Sequence, residues 1–249
     1  MKMRTALLVA AMLSANACGS DEPAAPNSIT VSAAASLTEA FTQIAADFEG
    51  QDGTKVRLSF GPSDGLATQI QEGAPADVFA SASPKWMDAV AEDPGVVDRS
   101  DFARNLLIVI TPADNPAGVD SVDDLGRPGI KLVLAAEGVP VGDYARELLG
   151  NAGIADEALA NVVSNEDDVK GVVQKVALGE ADAGIVYRTD VTSAVAGDLD
   201  VIDVPDNNNV VAVYPIAALV GAPGPARGFV TYVLGPGQTV LRDAGFLPP

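Results

Sequence analysis

Residues 29–34 form a short apolar run of strand length, and from residue 37 the spacing of apolar side chains changes. Leu37, Phe41, Ile44, Ala45 and Phe48 recur at the intervals of one helix face, which predicts a helix over 37–48. The same alternation continues, with a strand at 56–60, the loop Gly61-Pro62-Ser63-Asp64-Gly65, a short helix over 66–72 and a strand at 77–80. Pro84 opens the next helix, at a position where its missing amide hydrogen costs nothing. A strand at 106–110 then runs into a turn-rich break at 111–118.

Beyond the break the alternation resumes. Ser121 is placed to cap a short helix, 130–135 reads as a strand, and Pro140 is the first residue of a helix that runs to 149. A brief strand at 162–164 precedes a helix at 167–178 with Val169, Val172, Val173 and Val176 inward, and 182–187 is again a strand. After a strand at 201–204 and the polar turn 205–209, the apolar run 210–220 leads to helices near 225–234 and 237–244.

Repeated strand and helix segments predict an α/β fold of mostly parallel, doubly wound sheets with right-handed crossovers. The break after 110 carries the chain into a second lobe over 111–209, and 210–249 is a return strand with helices that complete the first lobe, 29–110. Ligands of such sheets sit beyond the carboxyl ends of the strands, where Ser36 and Ser63 fall. Ser36 is expected as an N-cap, with Glu39 completing a capping box. First-turn amides without intrahelical partners, behind the small residues Ala33, Ala34 and Ala35, make an anion-sized opening. A plain structural cap has the same local pattern.

Composition narrows the chemistry. With 48% hydrophobic residues among 249, the chain can bury one large core or divide it between two lobes. Its net charge of -19 disfavours nucleic acid and anionic membrane surfaces as partners. The same field repels small anions at long range, so an anion site must work through short-range donors in a closed cleft. There is no histidine and a single cysteine, Cys18, which excludes a Ser-His-Asp triad, a zinc cluster of the usual ligands and a disulfide. Asp123-Asp124 and Asp167-Asp168 read as first-turn charges favourable to helix dipoles. A His-dependent mechanism is excluded, while an enzyme of another chemistry stays open at this point, because a doubly wound fold hosts many.

The N-terminus has the proportions of an export signal over residues 1–17: Lys2 and Arg4, an apolar run at 5–13 too short to span a bilayer, then Ala15-Asn16-Ala17-Cys18-Gly19. Cleavage before Cys18 with lipidation of that cysteine, followed by a tether over 18–28, is favoured over plain secretion.

Several stretches, in consistent order from 29 to 247, carry a family resemblance. They are Ala33-Ala34-Ala35-Ser36-Leu37, Ser59-Phe60-Gly61-Pro62-Ser63-Asp64-Gly65-Leu66, Gly73-Ala74-Pro75-Ala76-Asp77-Val78-Phe79-Ala80-Ser81-Ala82 and Ala103-Arg104-Asn105-Leu106. Val139-Pro140-Val141-Gly142-Asp143-Tyr144-Ala145, Gly179-Glu180-Ala181-Asp182-Ala183-Gly184-Ile185-Val186-Tyr187-Arg188-Thr189-Asp190 and Gly245-Phe246 follow. Together they resemble the periplasmic molybdate-binding proteins of bacterial ABC importers.

The resemblance implies a two-lobed periplasmic-binding-protein fold (type II), each lobe a mostly parallel sheet flanked by helices, with the ligand in the cleft. It implies no catalysis and no cofactor, molybdate or tungstate as ligand, an ABC permease as partner, and a monomer that works in the periplasm or on the outer face of the cytoplasmic membrane. Molybdenum is then bound as the oxyanion, without cation ligands: by the hydroxyl and amide of Ser36 and of Ser63, the amides of Val141 and Val169, and the phenol of Tyr187. Sulfate, phosphate or another oxyanion is the alternative cargo. Val141 stands where the family more often has alanine, and Asp64 puts a carboxylate beside the expected anion, read here as an outward helix cap. Arg104 and Arg188 read as surface or hinge ion pairs, Trp86 as packing for its own helix, and Asp190 as a cap for the helix after Tyr187.

Overall fold

The computed structural model describes residues 27–249; the leader, Cys18 and the tether up to residue 26 lie outside the described residues. The first strand, β1 (Ser28–Ala34), is apolar or small along its length and runs parallel between β2 (Lys55–Gly61) and β3 (Val78–Ala80). Covered on both faces, such a strand reads as a near-continuous apolar run. The helix after it, α1 (Thr38–Asp52), buries Ala40, Phe41, Ile44, Ala45 and Phe48 and ends at Gly53, whose φ of 81° suits a residue without a Cβ. Burial of each large side chain on that face stabilises the fold by about 1.5–3 kcal/mol relative to leaving it exposed. Helices α2 (Ser63–Gln71) and α3 (Pro84–Glu92) flank β3, with Pro84 at the first turn.

The strand β4 (Val96–Pro112) serves two sheets. As far as Leu106 it pairs antiparallel with β9 (Val211–Leu219), which continues the first sheet through β3. From Leu107 its partner is β7 (Ala183–Tyr187), and from Ile108 also β8 (Leu199–Asp203). In this second half β5 (Leu132–Ala135) lies parallel between β6 (Val162–Glu166) and β7. The strand order is therefore β2-β1-β3-β9-β4-β7-β5-β6, with β8 on β4. Every antiparallel pair involves β4 or β9, the strands that join the halves, whereas pairs away from them are parallel as the sequence pattern predicts.

The second half carries α4 (Pro140–Asn151), α5 (Ala155–Ala160) and α6 (Val169–Ala177). The chain then returns along β9 to α7 (Gly224–Leu234) and α8 (Gly237–Asp243), and Phe229 packs edge-on against Phe48 of α1 at 5.4 Å. The two passages between halves lie side by side. The Asn209 amide accepts from the Leu107 amide at 3.1 Å and donates to the Leu107 carbonyl at 2.9 Å, standing in for a strand partner where β4 changes sheets.

Two elements depart from the sequence reading. β4 begins ten residues before the expected 106, through the polar stretch Asp98-Arg99-Ser100-Asp101, where register shifts after Val97 and Asp101 break the alternation a strand normally shows. The change of partners after Leu106 also precedes the turn-rich stretch at 111–118. The short helix α5 has only Ala158 buried and so carries no apolar stripe to announce it.

Candidate functional site

Four helix starts converge from the two halves. Ser36 lies in a single 3-10 turn, Ala35–Leu37, leading into α1, and Ser63 is the first residue of α2. From the other half, Val141 is the second residue of α4, and Val169 the first of α6. First-turn amides have no intrahelical acceptor, and the helix dipole makes this region favourable to negative charge. Between them lies a cleft with an empty volume of about 230 Å³, including the part open to solvent; Ser36, Ser63, Val141, Val169 and Tyr187 all line it. Ala34, Ala35, Gly61 and Ala82 complete the first-half wall and leave room for close approach to the backbone.

Ser36 does not cap α1. The helix begins after Leu37 with no side-chain cap, and Glu39 points instead to Lys170. The Ser36 hydroxyl lies 3.0 Å from the hydroxyl of Tyr214 on β9, a 178-residue separation that local capping rules cannot foresee. Ser63 likewise spends its side chain elsewhere than on a cap: Oγ accepts from the Ala82 amide at 3.0 Å, which leaves the hydroxyl proton free to donate into the cleft. The Tyr187 hydroxyl is buried and has no hydrogen-bond partner among the described residues. That is an exception to the usual satisfaction of buried polar atoms and fits a donor kept for a ligand.

The amide of Val141 is held in place by its neighbour. A Cβ on Gly142 would lie 2.2 Å from the Ala136 carbonyl oxygen and 2.5 Å from that of Ala135, so α4 starts hard against the end of β5. In α6 the Asp168 side chain is the N-cap and accepts from the Gly171 amide at 3.0 Å, leaving the amide of Val169 at the cleft.

Among the described residues no lysine or arginine lines the cleft, and Asp168 is the only carboxylate that does. Burial pushes the Tyr187 phenol well above its ordinary range, so it remains a protonated donor. Asp64 is not the outward cap expected of it: the start of α2 has no side-chain cap, and Asp64 Oδ1 is buried without a hydrogen-bond partner among the described residues. The stretch Gly61-Pro62-Ser63-Asp64-Gly65 has the spacing of a strand-to-helix nucleophile elbow. Yet the chain has no histidine to activate Ser63, whose oxygen already accepts a backbone bond. Among the described residues, no group of three or more His, Cys, Asp or Glu side chains is arranged to hold a metal ion.

The profile of the family described as bacterial extracellular solute-binding protein matches residues 29–247. The chain belongs to that family. Two relatives are called molybdate-binding protein ModA: that of Mycobacterium tuberculosis is 41% identical over 257 residues, 97% of each chain, and that of Escherichia coli 35% identical over 229 residues, 88% of each. The periplasmic molybdate-binding protein of Azotobacter vinelandii superposes with a TM-score of 0.77 over 89% of this chain and 99% of its own, at 24% identity, a likeness of fold.

In this solute-binding protein the rim of the cleft is bridged at both ends. On one side Trp86 Nε1 of α3 donates to the Gly138 carbonyl before α4 at 2.8 Å, and Lys85 Nζ lies 3.1 Å from Asp143. On the other, Lys170 of α6 bonds both carboxylate oxygens of Glu39 on α1. Trp86 thus reaches across the cleft and does more than pack its own helix. Arg188 pairs with Asp203 at the surface, away from the cleft lining. Asp190 is buried and accepts from the Tyr187 amide at 3.3 Å.

Proposed function

We propose that the protein binds molybdate, and tungstate of nearly the same size and charge, in this cleft and delivers it to the permease of an ABC importer. The observation that carries the reading is the meeting of donors from both halves in one cleft that, among the described residues, no basic side chain lines. The hydroxyls of Ser36, Ser63 and Tyr187 and the amides of Ser36, Ser63, Val141 and Val169 are the proposed contacts. The names of the relatives point to the same cargo.

A dianion taken from water into such a site carries a desolvation cost that only a nearly complete set of donors offsets. We therefore assign the lobes as residues 29–106 with 210–249 and residues 107–209, and have them close on the anion about the paired passages braced by Asn209. Neutral donors rank tetrahedral anions by size and by protonation: the hydroxyl of hydrogen phosphate needs an acceptor, and among the described residues the one carboxylate in the lining, Asp168, is already engaged as the cap of α6. Neither cofactor nor catalytic step is needed. Export by the 1–17 leader, lipid attachment at Cys18 and action as a monomer outside the cytoplasmic membrane complete the proposal.

Titration calorimetry on the mature chain tests it. One-to-one binding of molybdate and tungstate, with sulfate and phosphate much weaker, is the expected result. Equal or tighter binding of sulfate or phosphate would replace the cargo and keep the cleft.

A further inference from the structure

We propose that Tyr214 is a positioning residue for the anion: its hydroxyl fixes the Ser36 side chain as a hydrogen-bond donor to the ligand. The inference rests on the oxyanion reading of the cleft. Tyr214 is not among the cleft's lining residues; it touches the site through Ser36, whose Oγ is 3.0 Å from its hydroxyl, and through the ring of Tyr187. Both residues are buried, so bulk water does not compete for this contact.

Either oxygen of the pair can be the donor. A phenol is a stronger acid than an aliphatic alcohol and hence the stronger donor, which favours the proton of Tyr214 on the serine oxygen. The single proton of Ser36 is then directed away from Tyr214, towards the cleft. A hydroxyl that accepts one hydrogen bond while donating another is polarised by the first, so the two bonds strengthen each other. Ser63 is arranged in the same way, its oxygen accepting from the Ala82 amide. Both serines are in this way committed as donors.

The ring of Tyr214 is held so that its hydroxyl cannot drift. It packs edge-on against Phe102 at 6.3 Å, Tyr187 at 5.7 Å and Phe246 at 5.5 Å, and burial drives its phenol far above the ordinary range, keeping it protonated. Tyr187, the proposed donor from the other lobe, therefore leans on the same ring that orients Ser36. One residue of the returning strand sets the donors of both lobes.

The test is a double-mutant cycle on the full mature chain, with molybdate titrated calorimetrically into wild type, Tyr214→Phe, Ser36→Ala and the double variant. Tyr214→Phe is expected to weaken binding about 3- to 10-fold in the wild-type background and less than about 2-fold in the Ser36→Ala background. A loss equal in both backgrounds assigns Tyr214 a packing role and overturns the proposal. Failure of wild type to bind molybdate, or indifference to Ser36→Ala, instead sinks the functional reading, so the two failures are distinguishable. Should Tyr214→Phe not fold, 3-fluorotyrosine placed at position 214 supplies a more acidic phenol at nearly the same size. Tighter molybdate binding is then expected; unchanged or weaker binding overturns the proposal.

Discussion

Lys170 Nζ lies 3.0 and 3.1 Å from the two carboxylate oxygens of Glu39, although 131 residues separate them in sequence. Each is the second residue of its helix, α6 and α1, so the pair joins helix starts from opposite halves beside the cleft. Its side chains are 32% and 52% exposed, which limits the pair to about 0.2–1 kcal/mol by the behaviour of surface ion pairs. Glu39→Gln should weaken molybdate binding by no more than about fivefold, and the deficit should shrink at high salt as screening removes the wild-type advantage. A deficit that grew with salt would show that Glu39 acts otherwise.

The same ammonium is 3.5 Å from Asp190 Oδ1, whose side chain is fully buried. Burial pushes the Asp190 carboxyl up to about 7, opposed by Lys170 and by the bond from the Tyr187 amide, and assisted by the charge of Glu39. In the unfolded chain an aspartate titrates near 3.8, so between that value and about 7 the folded state holds the extra proton. Stability contributed by this group therefore falls as pH rises through that window and is level above it. Asp190→Asn keeps an acceptor for the Tyr187 amide and removes the titration. Urea denaturation from pH 5 to 8 should give a stability difference, variant minus wild type, that increases with pH; a flat difference would refute the assignment.

Most of the fold was legible because its signals are local. The switch from strand to helix around residue 35, the inward face of α1 and the proline starts of α3 and α4 depend on periodicity and on residues a few positions apart. What escaped depends on distant partners. Ser36 does not cap its helix because its hydroxyl is engaged by Tyr214, 178 residues away, and the reach of Trp86 across the cleft depends on Gly138, 52 residues away. The positions expected at the cleft came from the family resemblance; the hydrogen bonds behind them, from Ala82, Gly171 and Tyr214, had no sequence signature.

Side-chain donors can be removed one at a time. Ser36→Ala, Ser63→Ala and Tyr187→Phe should each cost about 1.5–3 kcal/mol of molybdate affinity, the range for hydrogen bonds to a charged group. Combining Ser36→Ala with Tyr187→Phe should give a loss that departs from the sum, because one anion is gripped from both sides. Calorimetry decides this. Wild-type affinity in all three single variants would remove the cleft as the binding site.

Gly142 offers a test that leaves every donor atom in place. Its missing side chain lets α4 begin against the carbonyls of Ala135 and Ala136, where a Cβ would lie 2.5 Å or less from either oxygen. Gly142→Ala forces the start of the helix outward and should destabilise the fold by about 1–3 kcal/mol, as overpacking does. The amide of Val141 moves with the helix, so molybdate affinity should fall together with the melting temperature. Gly150→Ala, in the same helix with open space around the added atom, is the control expected to keep both.

Closure itself can be followed through Trp86, the only tryptophan of the chain. Its indole donates across the cleft to Gly138 at 2.8 Å, and Lys85 Nζ sits 4.8 Å from the ring centre while pairing with Asp143 of α4. Opening the lobes must break the first contact and separate the second pair, exposing the indole to water. Saturating molybdate should therefore change the emission of Trp86, and small-angle scattering should show a smaller radius of gyration on the same titration. Lys85→Ala should leave the direction of the fluorescence change intact and cost at most about 1 kcal/mol of affinity, since its pair is solvent-exposed. An anion that binds one-to-one while both emission and radius stay constant would mean that the cleft is already closed before binding. The donors of the two lobes would then be preorganised, and the coupling expected between Ser36 and Tyr187 should vanish with the motion that produces it.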